Sequence, residues 1–199
     1  MVERQLKPRG IANARVLEAM ARVPRDRFVP PEYAVAAYDD GPVPIGEGQT
    51  ISQPFIVAYM TEALEPAATD RVLEVGTGCG YQTAVLAELV SAVYSIERVP
   101  SLAERAIQLL GVLGYANVQV RHGDGFQGWP EEAPFDKIIV TAAPAEVPPA
   151  LIGQLGPGGI LIAPIGRTDQ TITIVRRTPQ GIVTHETIAV RFVPMIEGA

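Results

Sequence analysis

The sequence predicts an α/β protein with a doubly wound, mostly parallel seven-stranded sheet and N-terminal cap helices, and three observations support this fold class. Residues 71–81, RVLEVGTGCGY, have the pattern of a buried strand, a tight glycine turn and the start of a helix. Between residues 70 and 164, apolar strand-like runs alternate with helix-like runs, which is typical of a parallel sheet with right-handed crossovers. Two further strand-like runs flank a Pro-Gln-Gly turn at residues 179–181 and indicate a hairpin.

The length and composition are those of one globular domain. We expect residues 1–199 to form a single domain, with cap helices and a functional loop in 1–54 and the sheet-containing core in 55–199. A net charge of −6 argues against a protein that binds nucleic acid by broad phosphate neutralisation. The single cysteine, Cys79, cannot form an intramolecular disulfide, and no signal-peptide core or apolar run of membrane-spanning length is apparent. A soluble cytoplasmic protein without nucleic-acid or membrane partners is therefore expected.

The N-terminal residues predict two helices outside the sheet. Residues 11–23 carry apolar side chains at helical spacing and are followed by Pro24. A second, short helix is expected in residues 30–38, which begin with two prolines. Because both segments precede the first sheet strand, they should pack outside it. The sequence leaves open whether they only cover an edge or also contribute to a site.

Residues 41–54, GPVPIGEGQTISQP, predict an ordered loop, because glycine, proline and small polar residues dominate them. Ser52, near the end of this loop, has two interpretations. It is either the N-cap of the helix that follows, with Pro54 in the first turn, or part of a functional loop that leads towards the first sheet strand. That helix is expected to bury the face formed by Ile56, Tyr59, Met60, Ala63 and Leu64.

The glycine turn after the first sheet strand is a candidate ligand site. Gly76, Gly78 and Gly80 allow positive φ angles and a close approach of a ligand to the backbone, next to the N-terminus of a helix. Their spacing is G-x-G-x-G rather than the G-x-G-x-x-G of dinucleotide-binding proteins. An acid, Glu74, precedes the turn and would favour a cationic ligand over a pyrophosphate. These features favour S-adenosylmethionine, although a turn that only joins a strand to a helix would show the same glycines.

Two more acids follow the next two strands. Glu97 ends the second strand, where a carboxylate can accept the hydroxyls of a ribose. Asp124 ends the third strand, between two glycines, where it could receive the amino group of an adenine ring. Each acid taken alone is also compatible with a solvated strand end. His122 and His185 share no ligand spacing with each other or with the cysteine, so no metal site is predicted.

Taken together, these motifs resemble the bacterial type of protein-L-isoaspartate (D-aspartate) O-methyltransferase over nearly the whole chain. The loop sequence GQTISQP is particular to that family, whereas the glycine turn is shared with other methyltransferases. The remaining matches follow in the family's order: RVLEAMARVPRDRFVP, AYDDGPVPIG, LEVGTGCGYQTAVLA, YSIERV, RHGDGFQGWPEEAPFD, IIVTAAP, GGILIAPIG and VRFVPM.

The resemblance implies a Rossmann-like class I S-adenosylmethionine methyltransferase, with the last two strands exchanged relative to most related enzymes. It implies a monomer that methylates the free carboxylate of L-isoaspartyl residues in damaged proteins and peptides, which initiates their repair. Ser52 corresponds to the residue treated as the active-site serine. The implied cofactor-binding residues are Thr50, Ile51, Ser52, Glu74, Gly76, Thr77, Gly78, Glu97, Arg98, Gly123, Asp124, Gly125 and Thr141. The implied substrate-binding residues are Ile51, Ser52, Gln53, Pro54, Ala142 and Val193.

Three other interpretations remain open at the level of sequence. A methyltransferase acting on a small molecule or on RNA would share the turn and the strand-end acids but would lack the GQTISQP loop. An NAD-dependent oxidoreductase is the second alternative. A non-catalytic protein that uses the fold as a scaffold is the third, because a fold alone does not prove an activity.

Overall fold

The computed structural model describes residues 1–198, which form a seven-stranded sheet flanked by helices and a separate two-stranded hairpin. The strands are β1 (Val43–Gly46), β2 (Gln49–Ile51), β3 (Arg71–Val75), β4 (Ala92–Glu97), β5 (Val118–His122), β6 (Phe135–Val140), β7 (Leu155–Ile165), β8 (Gln170–Thr178) and β9 (Gly181–Val190). The helices are α1 (Ala14–Arg22), α2 (Pro54–Ala63), α3 (Tyr81–Ala87), α4 (Pro100–Val112) and α5 (Pro149–Gln154). Shorter helical turns cover Val2–Leu6, Lys7–Arg9, Arg25–Phe28, Pro31–Ala36, Gly125–Gln127 and Pro130–Glu132.

The large sheet has the strand order β5-β4-β3-β6-β7-β8-β9, which confirms the predicted doubly wound α/β fold. The pairs from β5 to β7 are parallel, and β8 runs antiparallel to both of its neighbours. After β3 the chain moves outward to β4 and β5, and then returns to the other side of β3 to form β6. The switch point between β3 and β6 is where open α/β sheets bind ligands. The last two strands follow each other in sequence order, with β9 at the edge, consistent with the exchange that the resemblance implied.

Side chains alternate between two cores because successive residues of a strand point to opposite faces. In β3, Val72 packs into one core and Leu73 into the other, and both are fully buried. The first core also contains apolar residues of the N-terminal segment, including Val16, Met20 and Phe28. The N-terminal helices therefore share a core with one face of the sheet. The division into a cap of 1–54 and a core of 55–199 stays a prediction.

The predicted N-terminal helices are confirmed. At the start of α1, the side-chain oxygen of Asn13 accepts the backbone N–H groups of Arg15 at 3.0 Å and Val16 at 3.3 Å. The helix ends at Arg22, just before Pro24. The second segment forms a short 3₁₀ helix, Pro31–Ala36, rather than an α-helix.

The structure corrects the prediction of a loop around Ser52 and excludes one of the two interpretations of this residue. Residues 41–54 contain the β1–β2 hairpin, whose turn holds positive φ at Gly46, Glu47 and Gly48, instead of being only a loop. The N-cap of α2 is Gln53, so the hydroxyl of Ser52 does not cap this helix. The buried residues of α2 are Pro54, Phe55, Val57, Ala58, Met60 and Thr61, whereas three residues of the predicted face, Ile56, Tyr59 and Ala63, are half-buried. Helical spacing did not predict the buried face of α2 correctly, because this helix is apolar on most sides. Which side chains are buried is therefore decided by the segments that pack against it.

None of the helices within residues 1–198 combines the length and apolar character needed to cross a membrane.

Candidate active site

The glycine turn between β3 and α3 closes tightly against the neighbouring strands. Gly76 has a φ of +101° and Gly78 a φ of +56°, a region that disfavours residues with a Cβ. The N–H of Gly76 donates to the carbonyl oxygen of Ile96 at 2.8 Å. A Cβ atom on Gly76 would lie 2.3 Å from Oγ1 of Thr141. The turn can therefore approach β4 and the end of β6 only with glycine at this position.

Glu97 lies at the end of β4 with its carboxylate held by backbone groups. Its Oε2 accepts the N–H of Gly78 at 2.7 Å, and its Oε1 accepts the N–H of Val99 at 2.9 Å. The residue is 7% exposed. Each carboxylate oxygen has two lone pairs, so both oxygens can still accept a hydroxyl group. The structure thus presents Glu97 as a fixed acceptor beside the glycine turn.

A cleft of about 650 Å³, measured to its open mouth, lies at the carboxyl ends of β3, β4 and β6; we call it the strand-end cleft. The predicted site residues that line it are Thr50, Gly76, Gly78, Glu97, Arg98, Gly125, Thr141 and Ala142. The lining residues that the sequence analysis missed are Gln49, Val75, Ile96, Val99, Pro194, Met195 and Ile196. Of these, Val75 adjoins the glycine turn and Ile96 adjoins Glu97 in sequence, so their proximity could have been inferred.

The C-terminal segment reaches the strand-end cleft by pairing beyond the end of β6. The N–H of Ala143 donates to the carbonyl oxygen of Val193 at 2.8 Å, and the N–H of Met195 donates to that of Ala143 at 2.8 Å. Met195 then packs against Gly125, where a Cβ would lie 3.0 Å from the methionine Cε. The terminal motif VRFVPM was the sequence signal for this placement: the resemblance implied that Val193 binds the substrate, and Val193 lines a groove beside the cleft, but Pro194, Met195 and Ile196 were not expected.

The expectation that Glu74 contacts a ligand directly is corrected by its position. Glu74 is fully buried, and its Oε2 accepts hydrogen bonds from the hydroxyls of Thr83 and Ser95. Its Oε1 is buried without a hydrogen-bond partner in the part of the chain that the structure describes. Burial disfavours the charged form and raises the pKa of Glu74 to about 8. The carboxyl group therefore lies beneath the glycine turn and does not line the strand-end cleft.

The buried carboxyl of Glu74 should make stability depend on pH. Between about pH 5 and pH 8 the folded state keeps a proton that the unfolded state, with a pKa near 4.5, has lost. Stability should therefore fall as pH rises through this window, by up to about 1.4 kcal/mol per pH unit. Glu74→Gln should flatten this slope, as measured by urea unfolding at several pH values. Equal slopes in the wild type, in Glu74→Gln and in the exposed control Glu104→Gln would contradict this account.

Three other predicted cofactor residues lie at the margin of the strand-end cleft. The Oδ1 of Asp124 accepts the N–H of Phe126 at 2.9 Å and begins a 3₁₀ turn. Gly123 donates its N–H to the carbonyl oxygen of Glu97 at 3.0 Å. Neither residue is among those that line the cleft. Thr77 is buried and its hydroxyl lies 2.6 Å from that of Ser95. A direct contact between these residues and a cofactor stays a prediction.

Two more cavities adjoin the cleft near the end of β2. The inner cavity, of about 420 Å³ when space open to solvent is included, is lined by Thr50, Ile51, Ser52, Ile56, Val57, Met60, Gly76, Thr77, Gly78, Cys79, Tyr81, Gln82, Thr141 and Phe192. The outer groove, of about 1150 Å³ measured in the same way, is lined by Arg9, Pro42, Thr50, Ser52, Gln53, Phe55, Ile56, Ile188, Ala189, Val190, Arg191, Phe192 and Val193. Thr50 lines all three spaces, and Ser52 lines the inner cavity and the outer groove.

The hydroxyl of Ser52 is available for a ligand. It makes no hydrogen bond to any other residue within 1–198, whereas the Ser52 carbonyl oxygen accepts a bond from Arg25 at 2.7 Å. The neighbouring Gln53 lines the outer groove and donates to Oδ1 of Asp40 at 2.8 Å. Pro54 is buried at the start of α2 and lines none of the three cavities. The structure thus brings Ser52 and Gln53 to the groove, but not Pro54.

Within residues 1–198, no group of three or more His, Cys, Asp and Glu side chains is arranged to hold a metal ion.

The sheet order and the strand-end cleft are those of a Rossmann-like class I methyltransferase, and solved structures support this class. One protein-L-isoaspartate O-methyltransferase matches with a TM-score of 0.86 and 31% identity, over 98% of this chain and 65% of that one. Another, from Plasmodium falciparum, is a complex with S-adenosyl-L-homocysteine. It matches with a TM-score of 0.83 and 28% identity, over 98% and 96% of the two chains.

Sequence comparison identifies the family. The model of the protein-L-isoaspartate(D-aspartate) O-methyltransferase family matches residues 1–199. A protein-L-isoaspartate O-methyltransferase of Gloeobacter violaceus is 58% identical over 197 residues, covering 98% of this chain and 96% of that protein. One from Pelotomaculum thermopropionicum is 56% identical over 198 residues, covering 98% and 86%. The chain belongs to this family of S-adenosylmethionine-dependent carboxyl methyltransferases, which excludes the oxidoreductase and scaffold interpretations.

Proposed function

We propose that this chain transfers a methyl group from S-adenosylmethionine to the free carboxylate of L-isoaspartyl residues, and that the transfer takes place where the three cavities meet. The observation that carries this proposal is the continuous lining from the strand-end cleft to the outer groove. Thr50 borders all three spaces, and Ser52 borders the two that lie on the groove side. A donor in the cleft and an acceptor in the groove could meet at this point.

The residues of the strand-end cleft fit S-adenosylmethionine. Glu97 would hold the ribose hydroxyls with the free lone pairs of its fixed carboxylate. The apolar side chains of Ile96, Val99 and Met195 would pack against the adenine ring. The turn at Gly76 lines both the cleft and the inner cavity, and would hold the methionine part. When bound, S-adenosylmethionine supplies a transferable methyl group on a positively charged sulfur.

The outer groove fits an anionic peptide. Arg9 and Arg191 line it, and no acidic side chain is among its lining residues, although the whole chain has a net charge of −6. The guanidinium of Arg9 lies over the ring of Phe55, 3.5 Å from its centroid, and donates to Asp40 at 3.0 Å. Asp40 balances the charge of Arg9, so the attraction of a carboxylate towards Ser52 would come mainly from Arg191.

The chemistry requires orientation rather than a catalytic base. The free carboxylate of an isoaspartyl residue is its α-carboxyl group, which has an ordinary pKa of about 3.3–3.7 and is therefore already ionised at neutral pH. Ser52 would donate a hydrogen bond that leaves one carboxylate oxygen facing the donor. The apolar walls of the inner cavity, including Val57, Met60 and Phe192, would exclude water. Orientation of this kind can contribute up to about 7–11 kcal/mol to lowering the barrier.

A methylation assay with paired peptides tests the proposed function. The protein is incubated with methyl-labelled S-adenosylmethionine and a peptide that contains either an L-isoaspartyl or an L-aspartyl residue in the same sequence. We expect label to enter only the isoaspartyl peptide, as a base-labile ester. Equal labelling of the two peptides, or none of either, would overturn the proposal.

Ser52→Ala should weaken catalysis without removing the cofactor site. Loss of a hydrogen bond to a charged group should lower kcat/KM for the isoaspartyl peptide by about 10- to 100-fold. Ser101→Ala is the matched control, because Ser101 lies on α4, lines none of the three cavities, and donates its hydroxyl to Glu47 of the hairpin turn. Steady-state kinetics at saturating S-adenosylmethionine give the comparison. A Ser52→Ala enzyme that retains wild-type turnover and peptide KM would exclude this role.

We also propose that the enzyme acts as a monomer in the cytoplasm. The residues proposed to bind S-adenosylmethionine and the peptide carboxylate, from Arg9 to Ile196, line adjoining cavities of one chain, as an active monomer requires. Sedimentation at micromolar concentration should give a single species near 21.3 kDa. A stable dimer with full activity only in that state would contradict the first part of this proposal.

A further inference from the structure

The N-terminal segment carries a buried guanidinium that the reaction described above does not explain. Arg25 belongs to the short helical turn Arg25–Phe28 and is 0% exposed. Within residues 1–198, no carboxylate lies within 4.0 Å of it. Its Nη1 is buried without a hydrogen-bond partner in the same part of the chain. Burying a cation without a neutralising anion is costly, so packing alone does not account for an arginine at this position.

The contacts of Arg25 join three segments that surround the site. Its Nε donates to the carbonyl oxygen of Ala37 at 2.6 Å, in the N-terminal cap. Its Nη2 donates to the carbonyl oxygen of Ser52 at 2.7 Å, next to the outer groove. The guanidinium carbon lies 4.8 Å from the ring centroid of Tyr81, the first residue of α3 after the glycine turn. The side chain of Arg25 therefore contacts the N-terminal cap, the Ser52 backbone and helix α3, which follows the glycine turn.

We propose that Arg25 is a positioning residue for methyl transfer. By holding the backbone carbonyl of Ser52, it fixes the direction of the Ser52 hydroxyl towards the substrate carboxylate. Its charge has no acidic partner, so it also favours an anionic group beside Ser52. The proposal rests on the proposed function, because it assigns Arg25 a role in binding the carboxylate acceptor of that reaction.

Arginine suits this position better than lysine for a geometric reason. Its planar fork directs two N–H groups at carbonyls of two separate segments and stacks on an aromatic ring at the same time. A lysine would keep the charge but would lose the stacking and one of the two fixed hydrogen bonds. Arg25→Lys therefore separates charge from geometry, and Arg25→Met removes both.

The test compares these variants with Arg27→Met as the matched control, because Arg27 is exposed on the same helical turn. Peptide kcat and KM are measured together with the Kd of S-adenosyl-L-homocysteine by calorimetry. We expect Arg25→Met to lower kcat/KM for the isoaspartyl peptide by about 10- to 100-fold, largely through a higher KM. We expect Arg25→Lys to recover part of this loss, and the Kd to change less than about threefold.

A double variant determines whether Arg25 acts through Ser52. If it does, adding Arg25→Lys to Ser52→Ala should cause clearly less loss than Arg25→Lys causes in the wild type. Full additivity of the two losses would overturn the proposal, as would a folded Arg25→Lys or Arg25→Met enzyme with wild-type kcat/KM. If Arg25→Met does not fold, the comparison rests on Arg25→Lys. An inactive wild-type enzyme would instead refute the proposed function, so the two failures are distinguishable.

Discussion

Replacing Gly76 with alanine should destabilise the protein by about 2–4 kcal/mol and abolish measurable cofactor binding. The added Cβ would lie 2.3 Å from Oγ1 of Thr141, on a residue with a φ of +101°. Either the turn or Thr141 must move, and the hydrogen bond of 2.6 Å from Thr141 to the Gly76 carbonyl would break. Urea unfolding and calorimetric titration with S-adenosyl-L-homocysteine measure the two effects.

Gly114→Ala is the matched control for this prediction. Gly114 also has a positive φ, +83°, but no atom lies within 4 Å of the position of its Cβ. Gly114→Ala should therefore lose only the stability that a residue with a Cβ costs at a positive φ, about 1–2 kcal/mol. Adding Thr141→Ala to Gly76→Ala should restore part of the stability, because the clashing oxygen is removed. Equal losses in the two single alanine variants would show that the contact with Thr141 is irrelevant.

Glu97→Gln should raise the Kd of S-adenosyl-L-homocysteine by about 100-fold or more. The carboxylate accepts the N–H groups of Gly78 and Val99 on its two oxygens. A carboxamide would point an N–H₂ group at one of these donors, and it would accept ribose hydroxyls on one oxygen only. The loss should therefore combine a disturbed glycine turn with weaker ribose binding.

The control for Glu97→Gln is Glu104→Gln, an exposed acid on α4. It removes the same charge from the protein without touching the cleft. Calorimetric titration of both variants, with unfolding midpoints measured alongside, separates affinity from stability. A Kd for Glu97→Gln within about threefold of wild type would refute the role of this residue as the ribose acceptor.

The parts of the site that the sequence predicted are those next to a strand end. Glu97 and the glycine turn follow apolar runs of a parallel sheet, and such runs place their carboxyl ends along one edge. Local pattern therefore sufficed for their position. It did not suffice for Glu74, which adjoins the same turn but faces Thr83 and Ser95 in the interior. Strand alternation shows which residues share a face of the sheet. Whether a side chain on that face is buried or reaches a ligand cleft depends on what packs against it.

The Ser52 region shows the same limit. Its sequence is equally compatible with a helix cap and with a functional loop, because serine before a helix often caps it. The structure gives the capping position to Gln53 and leaves the Ser52 hydroxyl without a bond inside residues 1–198. The carbonyl oxygen of Ser52 is held by Arg25, which lies 27 residues earlier in the sequence, and a local pattern does not reveal such a contact.

The sequence by itself determined the α/β class, the doubly wound and mostly parallel sheet, the cofactor turn and the family. These features depend on short-range periodicity and on motifs, both of which are formed by residues close together in the sequence. Only the tertiary structure decided that Met195 closes the cleft against Gly125, that Glu74 is buried, and that Arg25 joins the cap to Ser52. The reason is physical: burial and hydrogen bonding depend on contacts between segments that are distant in sequence, and no local pattern specifies these contacts.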